Sequence, residues 1–317
     1  MKKIISLLIL TIQLQCVATA QLLDVTSSYL SPKAASYVRL LYDNDYFTTT
    51  DYYYSQGVTL DVVTKASTKA DKNTKNPLKK ILYSPKIGTK QYGISANIYG
   101  YTPTSISSDS ILYGDRPFNA NASLQLYSIT TATNNRVVSK LTVGYMGPKA
   151  KGYEIQEGIH KSTGNIRPLG WQHQIRSALI LNYQINYEGK WLQKNYVTMN
   201  KVLQVKVGTQ YNKLTFGSNI VLGNNALKKR KASFSFFIQP TATAVLYDAT
   251  MQGNIFKKNS PYFIAAKDVT RVVLQADAGI VLNLPKLQLA YTQSIITKEF
   301  ATGLYHRWGG IRIGKKI

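Results

Sequence analysis

Acidic residues are scarce in this chain: 15 Asp+Glu stand against 39 Lys+Arg in 317 residues, a formal charge of +24. Because only 17% of residues are charged and 44% are hydrophobic, the imbalance reflects missing acids and the composition is that of a folded chain. Cysteine occurs once, at Cys16 in an N-terminal leader, so disulfides, thiol catalysis and thiolate-bound zinc are excluded for the rest. Histidine occurs three times, at His160, His173 and His306, and no HExxH, GxSxG, P-loop or GxGxxG pattern is present. Metalloprotease and α/β-hydrolase readings lapse. No window of ~20 consecutive apolar residues follows the leader, which removes a transmembrane helix.

Residues 1–20 read as a secretory signal, with Lys2 and Lys3 before the apolar stretch Ile4 to Leu14 and Ala18-Thr19-Ala20 as the cleavage site before Gln21. Gln15 fits poorly with a lipoprotein site at Cys16. Residues 21–317 then form a single domain, and an exported chain without an apolar helix enters a membrane only as a closed barrel.

What the sequence has is period-two alternation. Phe118, Ala120, Ala122, Leu124 and Leu126 oppose Asn119, Asn121, Ser123, Gln125 and Tyr127. Leu179, Leu181, Tyr183, Ile185 and Tyr187 oppose Ile180, Asn182, Gln184, Asn186 and Glu188. Such stretches occur near 37–44, 52–63, 90–101, 117–128, 136–146, 175–187, 196–210, 212–223, 232–247, 269–282, 286–297 and 302–314. An even set of strands with apolar and uncharged polar faces, together with 23 Tyr for interfacial girdles, predicts an all-β, twelve-stranded antiparallel transmembrane β-barrel. The alternative is a soluble β-sandwich. With a periplasmic N-terminus, the connections after odd strands face outward, and short turns such as Glu188-Gly189-Lys190 and Asn283-Leu284-Pro285 face the periplasm. Parity puts the Lys-rich connection 64–89 on that side too, where it reads as a solvated linker.

Polar motifs gather at the outward ends of the first six strands: Asn44-Asp45, Tyr54-Ser55-Gln56-Gly57, Tyr101-Thr102-Pro103 and Gly114-Asp115-Arg116-Pro117-Phe118. The third outward loop adds Gln156 and His160, then Gly170-Trp171-Gln172-His173-Gln174, and Leu246 to Gly253 follows later. In this order and spacing the set resembles the outer-membrane lipid A deacylase family. The resemblance implies a twelve-stranded outer-membrane barrel of a Gram-negative cell. It also implies hydrolysis of the ester-linked 3′-acyloxyacyl chain of lipid A, with lipopolysaccharide as partner and Ca²⁺ as required ion.

The residues make chemical sense of that implication. Ester hydrolysis needs a base for water and a stabiliser for the oxyanion. Imidazole exchanges a proton near neutral pH, which makes His160 the candidate base; Gln156, four residues earlier, shares its side of a short helix. Asp45 would hold Ca²⁺ with backbone carbonyls and water, Asn44 would orient water or a ligand, and Ser55 would donate a hydrogen bond to the oxyanion. A Ser55 nucleophile activated by His160 is the rival mechanism. Arg116 is the candidate for gripping a lipid A phosphate, and an internal Asp115–Arg116 network is its alternative. Two departures from the family bear on activity or lipid specificity: Ile166 stands where relatives carry an acid, and Ser105 to Leu112 lacks their basic residue. The excess positive charge suits anionic lipid better than nucleic acid for an exported chain. The working unit is expected to be a monomer, and a non-enzymatic barrel, either a narrow pore or a structural protein, is the competing reading.

Overall fold

The computed structural model describes residues 26–30, 35–48, 50, 52–65, 81–223 and 232–317. The leader with Cys16, most of the Lys-rich connection and the basic run 228–231 lie outside the described residues.

Alternating apolar and polar residues become strands whose two faces meet different surroundings. The strands are β1 (Tyr37–Asn44), β2 (Tyr53–Val63), β3 (Thr89–Thr102), β4 (Asn119–Thr131), β5 (Asn135–Met146) and β6 (Ala178–Gln193). Then follow β7 (Val197–Gly208), β8 (Tyr211–Gly223), β9 (Ser233–Asp248), β10 (Val272–Asn283), β11 (Leu287–Ile296) and β12 (His306–Lys316). Each strand pairs antiparallel with its sequence neighbour, and β12 closes on β1 with Asn44 opposite Gly309. The twelve-stranded expectation holds, and closure leaves no unpaired edge.

The outer wall is apolar: Leu40, Val58, Leu60, Ile94, Ile98, Leu124, Leu181 and Ile313 are exposed on it. The opposite parity is buried and polar, with Arg39, Asp43, Thr59, Asp61, Ser95, Asn121 and Arg312. These groups satisfy one another, as buried charges must. Arg39 pairs with Asp61 at 2.8 Å and Arg312 with Asp43 at 3.3 Å, and Asp61 also accepts from Ser95 and Tyr127. Removing one member of such a pair strands its partner and costs about 3–5 kcal/mol.

The lumen is filled at both ends. Near the start of β1, residues 26–30 enter it: Tyr29 stacks on Phe237 at 4.2 Å, Arg39 donates to the Leu30 carbonyl at 2.6 Å, and Ser28 N–H donates to Glu188 at 2.9 Å. Toward the other rim Tyr54, Tyr99, Tyr101, Ile296 and Trp308 form an aromatic layer. Side chains thus occupy the lumen near both rims.

Segments 132–134, 194–196 and 284–286 are short turns at one end, whereas 103–118, 147–177, 249–271 and 297–305 lie at the other. That asymmetry is the one outer-membrane barrels show between periplasmic and external rims. Among the outward connections, residues 209 and 210 alone join β7 to β8 tightly. One expectation needs correction: Glu188-Gly189-Lys190 is no turn but part of β6, which runs to Gln193 through a bulge between Lys190 and Leu192. Among the described residues no helix is long and apolar enough to cross a membrane.

Candidate active site on the outer wall

β1 exposes Leu40 and Tyr42 on its outer side, and the same parity turns Asn44 outward, opposite Gln56 of β2 and Gly309 of β12. Asn44 and Asp45 do what their residue types favour and end the strand in a turn. Asn44 Oδ1 accepts from Tyr46 N–H at 2.7 Å, and Asp45 opens a 3-10 turn, Asp45–Thr48, with its side chain buried. The Thr48 hydroxyl donates back to the Asp45 carbonyl at 2.8 Å. This turn folds over the outer wall, because Phe47 occupies the space a side chain at Gly309 would fill: a Cβ there would sit 2.5 Å from Phe47 Cβ.

Ser55 lies in a bulge of β2, where the register with β3 shifts between Tyr54 and Gln56. Bulges re-aim side chains beside functional sites, and here the preceding Tyr53 takes a left-handed φ of 64°. The Ser55 hydroxyl, buried, shares a 2.6 Å hydrogen bond with Thr102 Oγ1. Thr102 has the parity of Ile94 and Ile98, so this hydroxyl pair belongs to the outer face of β3.

The loop after β5 forms helix α1 (Gly152–Thr163), whose buried residues are Gly152, Gln156 and His160, each four apart and therefore on one stripe. That stripe rests on β4. A Cβ on Gly152 would lie 2.4 Å from Ala120 Cβ and 2.6 Å from the Trp171 ring, so glycine is needed for the approach. Ala120 shares parity with outward-facing Leu124, which places the helix against the outside of the barrel. Trp171, packed with Phe118 at 4.9 Å, donates its indole N–H to Gln156 Oε1 at 2.7 Å.

His160 Nδ1 is 2.6 Å from the carbonyl oxygen of Ile166. A carbonyl only accepts, so Nδ1 carries the proton and Nε2 is left as the basic atom. The segment carrying that carbonyl is clamped to the helix by the next residue. Arg167 donates to Glu157 at 2.8 Å and to the Tyr153 hydroxyl at 2.9 Å, and Tyr153 donates to the same carboxylate at 2.6 Å. The Tyr153 hydroxyl and Arg167 together hold the Glu157 carboxyl below the usual range.

Arg116 sits elsewhere, buried inside the mouth of the barrel. Its guanidinium pairs with Glu299, donates to Thr250 Oγ1 at 2.9 Å and lies 3.9 Å from the centre of the Tyr101 ring. Burial raises the Glu299 pKa and Arg116 opposes the rise. The internal network expected for Arg116 exists, with a different partner: Asp115 instead accepts from Thr104 N–H at 2.8 Å and from Arg116 N–H at 2.7 Å. His173 bonds to the Asp109 carbonyl at 2.9 Å, and His306 is enclosed by Tyr53 and Trp308.

Four sequence-predicted residues, Asn44, Ser55, Gln156 and His160, belong to the wall formed by β1 to β4 and the helix on it, and Asp45 opens the adjoining turn. Among the described residues no cluster of three or more His, Cys, Asp or Glu could hold a metal. The oxygen donors here, one buried carboxylate with amide, hydroxyl and carbonyl groups, suit a hard cation such as Ca²⁺ rather than zinc. Sequence reasoning does not single out Thr102, the Ile166 carbonyl or the Arg167 clamp. Thr102 lies within the Tyr101-Thr102-Pro103 motif, and a main-chain carbonyl gives no sequence signal.

A family profile described as outer membrane protein LpxR matches residues 4–317. No curated protein sequence matches the chain. Among solved structures, LpxR from Salmonella typhimurium superposes with a TM-score of 0.72 at 17% identity, over 89% of this chain and 100% of that one. The β domain of the Bordetella autotransporter BrkA gives 0.46 at 9% identity over 89% and 98% of the two chains. The translocator domain of NalP from Neisseria meningitidis gives 0.44 at 10% identity over 90% of each. The last two share barrel form and carry no argument; the Salmonella likeness shows the fold, and the profile shows the family. The chain belongs to the outer membrane protein LpxR family and is a β-barrel of the outer membrane.

Proposed function

We propose that the chain is a Ca²⁺-dependent carboxylic ester hydrolase that removes the 3′-acyloxyacyl chain of lipid A, acting as a monomer on lipopolysaccharide in its own leaflet. The observation that carries this reading is the placement of Gln156 and His160 on a helix laid against the outer wall, at the rim where Asn44 and Ser55 emerge. A lipid ester in the outer leaflet reaches that wall sideways, without leaving the membrane, whereas the filled lumen offers it no path.

His160 Nε2 takes a proton from water as the water oxygen adds to the ester carbonyl, and returns it to the departing alkoxide. The products are the free acyloxyacyl carboxylic acid and the 3′-hydroxyl of the lipid A sugar. The Ile166 carbonyl fixes the imidazole's tautomer, and the Trp171–Gln156 bond fixes the helix stripe. Ser55 or its partner Thr102 has a hydroxyl hydrogen to direct at the oxyanion. Because Ser55 is bonded to a hydroxyl rather than to an imidazole, water is favoured over serine as the nucleophile. Asp45 would hold Ca²⁺, and the ion would supply positive charge to favour the developing oxyanion. Arg116 would meet a phosphate only by leaving Glu299, so its first role is to hold the mouth together.

Incubating the purified barrel with lipid A and Ca²⁺ in detergent and measuring released fatty acid tests the proposal. Release confined to the 3′ chain is expected; no release from folded barrel contradicts it.

A further inference from the structure

The geometry points to Arg307 as the anchor for a phosphate of the lipid A headgroup while the ester chain lies against the wall, an inference that rests on the lipid A reading above. Arg307 is the second residue of β12, on the outward parity of Ile311 and Ile313, which are 41% and 47% exposed. Gly309 on that parity pairs with Asn44, so Arg307 stands two residues nearer the rim on the same wall.

Its main chain is tied to the turn that Asp45 begins. The Arg307 carbonyl accepts from the hydroxyls of Thr48 at 2.9 Å and Thr50 at 3.1 Å, and the same Thr48 hydroxyl lies 2.8 Å from the Asp45 carbonyl. One hydroxyl therefore bridges the two backbones. The Tyr52 phenol lies within electrostatic reach of both side chains: burial, Tyr305 and Asp45 push its pKa up, and Arg307 pulls it down.

The Arg307 guanidinium itself is exposed, lies 6.0 Å from the centre of the Tyr305 ring, and pairs with no carboxylate among the described residues. Tyr305, beside it, is 59% exposed and Tyr46, in the turn Asp45–Thr48, is 81% exposed, the aromatic residues expected where an outer wall meets the headgroup layer. A planar, permanently charged fork at that depth matches a phosphate monoester in two parallel hydrogen bonds. Arg116, by contrast, is buried and engaged inside.

The test compares wild type with Arg307→Gln and Arg307→Lys, purified in detergent with Ca²⁺, on bisphosphoryl lipid A, on each monophosphoryl form and on lipid A stripped of both phosphates. Arg307→Gln is expected to raise KM for bisphosphoryl lipid A on the order of tenfold with kcat within about twofold. Lysine should recover part of the loss, and wild type and Arg307→Gln should have equal KM on the stripped lipid. The monophosphoryl substrate on which the variant loses its handicap identifies the phosphate held. Equal KM for wild type and Arg307→Gln on bisphosphoryl lipid A would overturn the assignment, as would a KM defect that persists on stripped lipid. Absence of turnover by wild type on every substrate would overturn the lipid A reading with it. The exposed side chain forms no ion pair among the described residues, so folding is not expected to depend on it.

Discussion

The imidazole of His160 is oriented by the main chain of Ile166, through a 2.6 Å bond from Nδ1 to the carbonyl oxygen. The family resemblance drawn from the sequence implies an acid at the position of Ile166. A carbonyl performs the orienting task without a side chain, so the base is held although the acid is missing.

Replacing Ile166 by Ala should therefore leave kcat within about threefold, because the carbonyl stays. Replacing His160 by Ala should reduce kcat by ~10²–10⁴-fold, the usual worth of a positioned base. Initial rates of fatty acid release decide both.

The clamp that holds this carbonyl in place is exposed, so it should matter to rate and little to stability. Arg167→Gln is expected to lower kcat several-fold while the melting temperature of the barrel stays the same. Its pH behaviour follows from Glu157. A carboxylate whose pKa is depressed by its partners in the fold keeps its pairing above the unfolded pKa and loses it only as pH falls through the lower folded value. The ratio of wild-type to Arg167→Gln rates should accordingly stay constant above the ordinary carboxylate range and narrow only as pH falls through the depressed Glu157 value.

Gly152 sets how closely the helix approaches β4. Gly152→Leu has no room against Ala120 and Trp171, and should lift the helix, moving Gln156 and His160 together. A 1 Å misplacement of catalytic groups costs on the order of 10²-fold. The twelve strands do not depend on this contact, so heat-modifiable gel migration of the folded barrel should be unchanged while fatty acid release falls.

Asp45→Asn should raise the Ca²⁺ concentration needed for half-maximal activity, since carboxylate charge dominates affinity at an oxygen site. A calcium chelator should abolish wild-type activity and added Ca²⁺ should restore it. Direct Ca²⁺ binding to the purified barrel, read by calorimetry, should weaken in the same variant; unchanged binding would remove Asp45 from the ion site.

The barrel is legible in the sequence because period-two alternation recurs along the chain and the number of stretches is even, as in outer-membrane barrels. Boundaries are less so: Gly189 has the composition of a turn, yet the chain continues to Gln193 and turns where Lys194 N–H meets the Val197 carbonyl at 2.8 Å. The Gln156–His160 spacing announces one helical stripe. Which side of the wall receives that stripe is not readable, because parity breaks at the Ser55 bulge and because Ala120 reveals its outward direction only through Leu124. Arg116 and Glu299 lie 183 residues apart, whereas local sequence reasoning reaches only the neighbouring acid, Asp115.

Whether an imidazole on the outside of the barrel cuts an ester of lipid A is measured most directly by mass spectrometry of lipid A from cells producing wild-type protein or His160→Ala, at equal amounts of folded barrel. Wild type is expected to yield lipid A lighter by one 3′-acyloxyacyl chain, and His160→Ala to restore the full mass. Identical spectra from the two strains would contradict it.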